Sequence, residues 1–136
     1  MIFDRQNRFS WEQAETTIAA HASTDYLDTQ VTGDAIDQLR FWLQVATTCT
    51  SGGSATVQFI LESADDSAFS ANLTTELDSG AIAVATLVQG YKPFGSNVRL
   101  PSGMRRYIRV KYTIAVAVLT AGAFSAGFTG DTQSDV

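Results

Sequence analysis

The chain has 136 residues, of which 45% are hydrophobic and 17% charged, with a formal net charge of −5. That is the size and composition of one domain able to bury its own core, neither disordered nor membrane-like. Cys49 is the single cysteine and His21 the single histidine, which excludes an intrachain disulfide, a cysteine-rich zinc site and any two-histidine metal site.

Taken in chain order, residues 1–15 read as an N-terminal arm in which Ile2, Phe3, Phe9 and Trp11 are interleaved with charge. The arm has no apolar run of signal-peptide length, so a reducing compartment, or no passage through an export pathway, is expected. Its large apolar residues are expected to dock, either on the chain's own sandwich or on a neighbour. Trp11 to His21 is the best candidate for a helix, with Ser10 as cap and Gln13 three residues on, although Thr16-Thr17-Ile18 favours strand.

From there the pattern is period two, the strand signature. A short strand is predicted over 26–29. In 41–47, Phe41, Leu43 and Val45 alternate with Trp42, Gln44 and Ala46. The glycine turn Thr50-Ser51-Gly52-Gly53-Ser54 then leads into 55–63, where Val57, Phe59 and Leu61 share one face. A short strand over 80–84 and one helical turn over 85–89 follow. Pro93 and Pro101 bracket a short edge strand at 94–100, since proline lacks a ladder donor.

The strand over 106–114 sets Ile108, Val110, Tyr112 and Ile114 against Tyr107, Arg109, Lys111 and Thr113, so it is half buried. Another strand covers 121–129. Between Tyr112 and Gly130 no residue is charged. Its threonines, its glycines and a turn near Leu119-Thr120-Ala121-Gly122 divide it into two strands, so no membrane partner is expected. Seven or eight short strands with regular turns predict an all-β, antiparallel fold, either a sandwich or a jelly roll. One domain, 1–136, is expected, with a short tail at 130–136.

Charge divides along the chain. Residues 1–91 hold three basic side chains against twelve acids, residues 92–111 hold six basic and no acid, and Asp131 and Asp135 complete the −5. Overall acidity argues against a nucleic-acid partner. Arg105, Arg106, Arg109 and Lys111 form a basic cluster that either meets acids on another subunit or balances the chain's own acids.

Other candidate groups have plain readings. Glu62, Asp65 and Asp66 lie within five residues but lack the glycine and ligand spacing of an EF-hand, so a turn cap is expected rather than a metal site. His21 stands near Ser23 and Asp25 without a nucleophile elbow, and no phosphate-cradling glycine motif is present. Cys49 reads as a small buried hydrophobe. Asn72-Leu73-Thr74 matches a glycosylation sequon, which without export has no use. No catalytic residue, cofactor or metal is therefore expected, and the chain is read as a non-enzyme.

An ordered set of segments resembles the capsid cement (decoration) proteins of tailed phages. It begins with Met1-Ile2-Phe3-Asp4, Phe9-Ser10, Gln13-Ala14 and Ala55-Thr56-Val57, followed by Glu62-Ser63-Ala64-Asp65-Asp66-Ser67-Ala68-Phe69 and Ser79-Gly80-Ala81-Ile82. Val98-Arg99-Leu100-Pro101-Ser102-Gly103, Arg106-Tyr107-Ile108-Arg109-Val110 and Leu119-Thr120-Ala121-Gly122-Ala123-Phe124-Ser125-Ala126 complete it.

The resemblance implies a jelly roll that self-associates, as a homodimer or as a trimer at a local symmetry axis. It also implies that the protein clamps neighbouring major capsid proteins on the outer surface of the virion after synthesis in the host cytoplasm. It carries no catalytic residue. Such proteins often continue into a longer aromatic-bearing tail, which 130–136 does not match. The interface residues expected on this reading are Ile2, Phe3, Phe9, Trp11, Arg105, Arg106, Arg109 and Lys111. The alternative is a carbohydrate-binding or adhesion sandwich of the virion surface, for which Trp11, Trp42, Tyr91 and Tyr107 are the scattered aromatics.

Overall fold

A computed structural model describes residues 8–28, 40–95, 98–99 and 104–129. Its strands are β1 (Arg8–Ala14), β2 (Ala19–Ala22), β3 (Leu27–Asp28), β4 (Arg40–Thr50), β5 (Thr56–Ala64), β6 (Thr74–Ala83), β7 (Val98–Arg99), β8 (Tyr107–Ala115) and β9 (Ala121–Thr129). One sheet runs in the order β1-β9-β4-β7 and the other β2-β8-β5-β6, with β3 also on β8. Every pairing is antiparallel. Because β2 and β3 share the same edge of β8, each sheet has four positions. This two-sheet interleaving makes the sandwich a jelly roll, the arrangement that the resemblance implies.

The core follows from the alternation. Phe41, Leu43 and Val45 of β4 and Phe124, Ala126 and Phe128 of β9 face inward from one sheet, and all are buried. Val57, Phe59 and Leu61 of β5 and Ile108, Val110, Tyr112 and Ile114 of β8 meet them from the other. Phe124 joins the layers, lying edge-on to Phe59 at 5.1 Å and stacked on Tyr112 at 5.0 Å between centroids. Aromatic contacts of these geometries add about 0.5–1.5 kcal/mol each beyond area burial.

Several expectations need correction. The helix predicted over 11–21 is absent: the segment forms β1 and β2, joined by a corner at 15–18 that crosses between sheets. Ser10 caps nothing, because its hydroxyl bonds the buried Tyr112 phenol at 2.5 Å. Gln13 holds the chain open, donating to the Ala22 carbonyl and accepting from the Thr24 N–H. Register shifts in β1, with Glu12 at φ 49°, break the period-two signature there.

The arm ends sooner than expected, because from Arg8 onward the chain is an edge strand on β9. The strand expected over 80–84 is the end of the longer β6. It is half exposed, its start is polar, and a bulge near Gly80 (φ 70°) interrupts its pairing. The helical turn placed at 85–89 is a one-turn 3₁₀ helix over Val84–Thr86. The strand between the prolines is the two-residue β7, paired with β4 at the sheet edge. No helix among the described residues is long and apolar enough to cross a membrane; the uncharged run beginning at Tyr112 supplies the end of β8 and all of β9.

Candidate interaction surfaces

The basic cluster lies along β8 and just before it. Because Ile108, Val110 and Tyr112 point inward, Arg109 and Lys111 must point outward, over the β5 neighbour. Glu62 stands directly opposite Arg109 in the β5–β8 register. Its carboxylate, 1% exposed, accepts from Arg109 Nε at 2.5 Å and lies 3.4 Å from Lys111 Nζ. The Arg109 guanidinium also lies over the Phe69 ring, 4.2 Å from its centroid.

Arg106 grips Asp28 of β3 with a two-point bond, Nε to Oδ1 at 2.7 Å and Nη2 to Oδ2 at 3.0 Å. Arg105 reaches Asp65 Oδ2 at 3.1 Å and donates to the Thr74 hydroxyl. Each member of the cluster thus has an acid within the same chain. Of the two readings of the cluster, internal charge balance is the one this geometry favours. The acids come from β3, β5 and the β5–β6 loop, and only the fold brings them to β8. The side chains of Arg105 and Arg106 remain 35% and 41% exposed, so an incoming acid could still compete for them.

The acidic loop behaves as a turn. Asp66 accepts from the N–H groups of Ala71 and Ser70 and from the Ser70 hydroxyl. The Ala71 bond is the main reason its carboxyl titrates below the ordinary value. Asp65 is held low first by the Asn72 amide and then by Arg105. Asn72, inside the sequon, thereby donates its side chain to Asp65 at 2.7 Å. Among the described residues no group of three acids, histidines or cysteines is arranged to hold a metal ion.

His21 Nδ1 sits 3.0 Å from Glu15 and its Nε2 bonds the Thr17 corner, a local tie between β1 and β2. Cys49 is buried, and burial pushes its thiol up to about 11.

The arm residues separate. Phe9 is fully buried, edge-on to Phe128 at 4.9 Å, so as placed it belongs to the core rather than to an interface. The cause is that β1 completes the β9 edge, which turns Phe9 inward. Trp11, 48% exposed, remains on the surface with the Arg8 guanidinium over its ring. Ile2 and Phe3 lie outside the described residues.

These elements, from Phe9 in β1 to Phe128 in β9, are also the span over which a protein-family model, Bbp16, matches the sequence (residues 9–128). The chain belongs to the Bbp16 family. The match reaches from β1 into β9 and so touches every strand among the described residues, so family membership describes the whole jelly roll rather than one motif on it. No curated protein matches the chain.

The sequence reading missed a surface that the family fold assembles. The turns β1–β2, β4–β5, β6–β7 and β8–β9 gather at one end of the sandwich, where Ile18, Val88, Val116 and Val118 are half or more exposed. The available signal was the run of uncharged residues at 41–61, 79–91 and 112–129. Taken along the chain, only the last run is long enough to pose a question, and that question concerns membranes.

Proposed function

We propose that this Bbp16-family chain is a capsid cement protein, one that binds the outer surface of a phage head and bridges neighbouring major capsid proteins. The observation that carries the reading is the family match across a complete jelly roll, together with the ordered resemblance to tailed-phage cement proteins over the same strands. A rigid two-layer sandwich suits the task, since cementing asks for shape held against stress at many equivalent sites. Repetition on a lattice supplies affinity, because each weak contact acts at high effective concentration. The role requires no reaction, and the chain is read as a non-enzyme without a cofactor.

The test is direct. Purified protein added to undecorated shells should bind at a fixed ratio to the shell subunit and raise the shell's melting temperature. Shells that take up none of it reject the proposal. Reversing Arg105 and Arg106 to glutamate then asks whether the exposed guanidiniums contribute. Weaker, salt-sensitive decoration with a nearly unchanged free-protein melt would give them a partner beyond Asp65 and Asp28.

The carbohydrate-binding alternative draws on Tyr26, half exposed and 5.8 Å from Tyr107 between ring centroids. Two tyrosines make a small sugar platform, so the cement reading stands ahead of it. A glycan array without a hit removes the alternative.

A further inference from the structure

Tyr26 stands immediately before β3, which pairs with the start of β8, at the end of the sandwich away from the four turns. Leu27 packs toward the core, so Tyr26 and Asp28, one residue to either side, face outward together. Tyr26 is 51% exposed, and its ring lies 5.8 Å from the Tyr107 ring and 5.9 Å from the Phe69 ring between centroids. Arginines stack on the same rings: Arg106 lies over Tyr107 at 5.0 Å and Arg109 over Phe69 at 4.2 Å. Phe69 holds its place at φ 56°, a region in which a bulky side chain is an outlier. The loop is thus strained to set a ring beside Tyr26, and strain of this kind clusters at ligand clamps.

We propose that this patch is a weak saccharide site, with neutral hexose polymers as its ligand class, and that a shell bearing many copies adheres through it, a role that rests on the cement reading for its repetition alone. Charge selects the ligand. Arg105, Arg106 and Arg109 around the rings are each matched by an acid, Asp65, Asp28 and Glu62 respectively, so neither an anion nor a cation gains a net attraction here. A sugar hydroxyl both donates and accepts. The Arg106–Asp28 and Arg105–Asp65 pairs, both open to solvent, present guanidinium and carboxylate side by side to such a group. The C–H face of a hexose ring is the apolar surface that a tyrosine ring covers, with its hydroxyl left at the wet edge.

A nucleic acid strand also stacks on rings set among arginines. It binds through an excess of positive charge, however, and the matched acids remove that excess.

Two tyrosines make too small a platform for a stand-alone sugar module, and that objection lapses on a lattice. A site with a dissociation constant on the order of 1 mM becomes effective when linked copies raise its avidity by roughly a hundredfold or more.

The test titrates the free full-length chain with soluble oligomers of glucose, of galactose and of mannose, following its aromatic ring signals by nuclear magnetic resonance. At least one oligomer should move Tyr26 and Tyr107 and leave Trp11 in place, and a single-stranded oligonucleotide should move neither tyrosine. Tyr26→Ser should weaken the response at least tenfold and Tyr26→Trp should keep it. Both should melt near wild type, because the side chain lies outside the core. Decorated shells should be retained on beads of the same polymer where bare shells pass, and Tyr26→Ser subunits should decorate normally yet lose the retention.

Tyr26 and Tyr107 signals unmoved in every sugar overturn the inference, as does a response that survives Tyr26→Ser, is lost in a folded Tyr26→Trp or is given by the oligonucleotide alone. Decorated shells that pass the beads with bare ones overturn it too, and folded Tyr26→Ser subunits that fail to decorate assign the patch to the shell contact instead. Shells that take up no wild-type subunit defeat the cement reading alone, because the titration of the free chain then decides the site.

Discussion

Replacing Glu62 by glutamine removes the charge at the centre of the outer β5–β8 face without changing its size. The carboxylate is 1% exposed, whereas Arg109 and Lys111 are 23% and 27% exposed. Breaking a fully buried pair costs about 3–5 kcal/mol, because the remaining charge is stranded. Here the stranded cations reach water in part, which lowers the expected cost to about 2–3 kcal/mol. For a chain of this length each kcal/mol moves the melting temperature by about 4 °C, so Glu62→Gln should melt about 8–12 °C lower.

Calorimetry and urea unfolding measure this. Arg109→Ala should cost a similar amount, since it also uncovers the Phe69 ring that the guanidinium overlies. The double variant should cost less than the sum of the two, with a coupling of about 1–2 kcal/mol. A Glu62→Gln protein that melts with the wild type, or strict additivity in the cycle, would refute the reasoning.

Three further outcomes follow from the same geometry. Asp66, Asp65 and Asp78 are held below the ordinary 3.8 first by the Ala71 N–H, the Asn72 amide and the Gln58 amide respectively. Their stabilisation is therefore complete above that value and lost as pH falls through the lowered folded values. The melting temperature should be level from neutral pH to about 5 and fall below about 4, less steeply in Asp66→Asn; parallel acid limbs would contradict this. Cys49, buried with its thiol pushed up to about 11, should not react with a disulfide reagent near pH 8 until urea unfolds the chain. Gly122→Ala would place a Cβ 2.9 Å from Cys49 Sγ and 3.2 Å from Leu119 Cδ1, costing about 1–3 kcal/mol, and Cys49→Ala should recover part of that loss.

The strands that were legible are those paired on both sides. β4, β5, β8 and β9 each have neighbours on two edges, and their large core side chains recur at period two, in β4 ahead of the register shifts that follow Val45. β1 and β6 are edge strands with bulges, and a bulge reverses the facing of every residue beyond it. That reversal hides the start of β6, and in β1 it leaves the spacing of Ser10 and Gln13 to read as a helix cap. The candidate site divided in the same way. The outward placement of Arg109 and Lys111 could be read from Ile108, Val110 and Tyr112. Their acids could not, because Glu62 and Asp28 lie far away in sequence and become neighbours through strand pairing. Phe9 looked like an anchor for a neighbour because nothing local says which sheet edge β1 completes.

By itself the sequence determined the class of the protein. Alternating apolar residues separated by glycine and polar turns call for antiparallel strands closed on a shared core. The tertiary structure decided which charges neutralise one another and which remain on the surface. It alone gathered four turns, distant along the chain, into one end bearing Ile18, Val88, Val116 and Val118. The physical reason is range: backbone and side-chain periodicity act over a few residues, whereas pairing and surface composition depend on contacts across the whole fold.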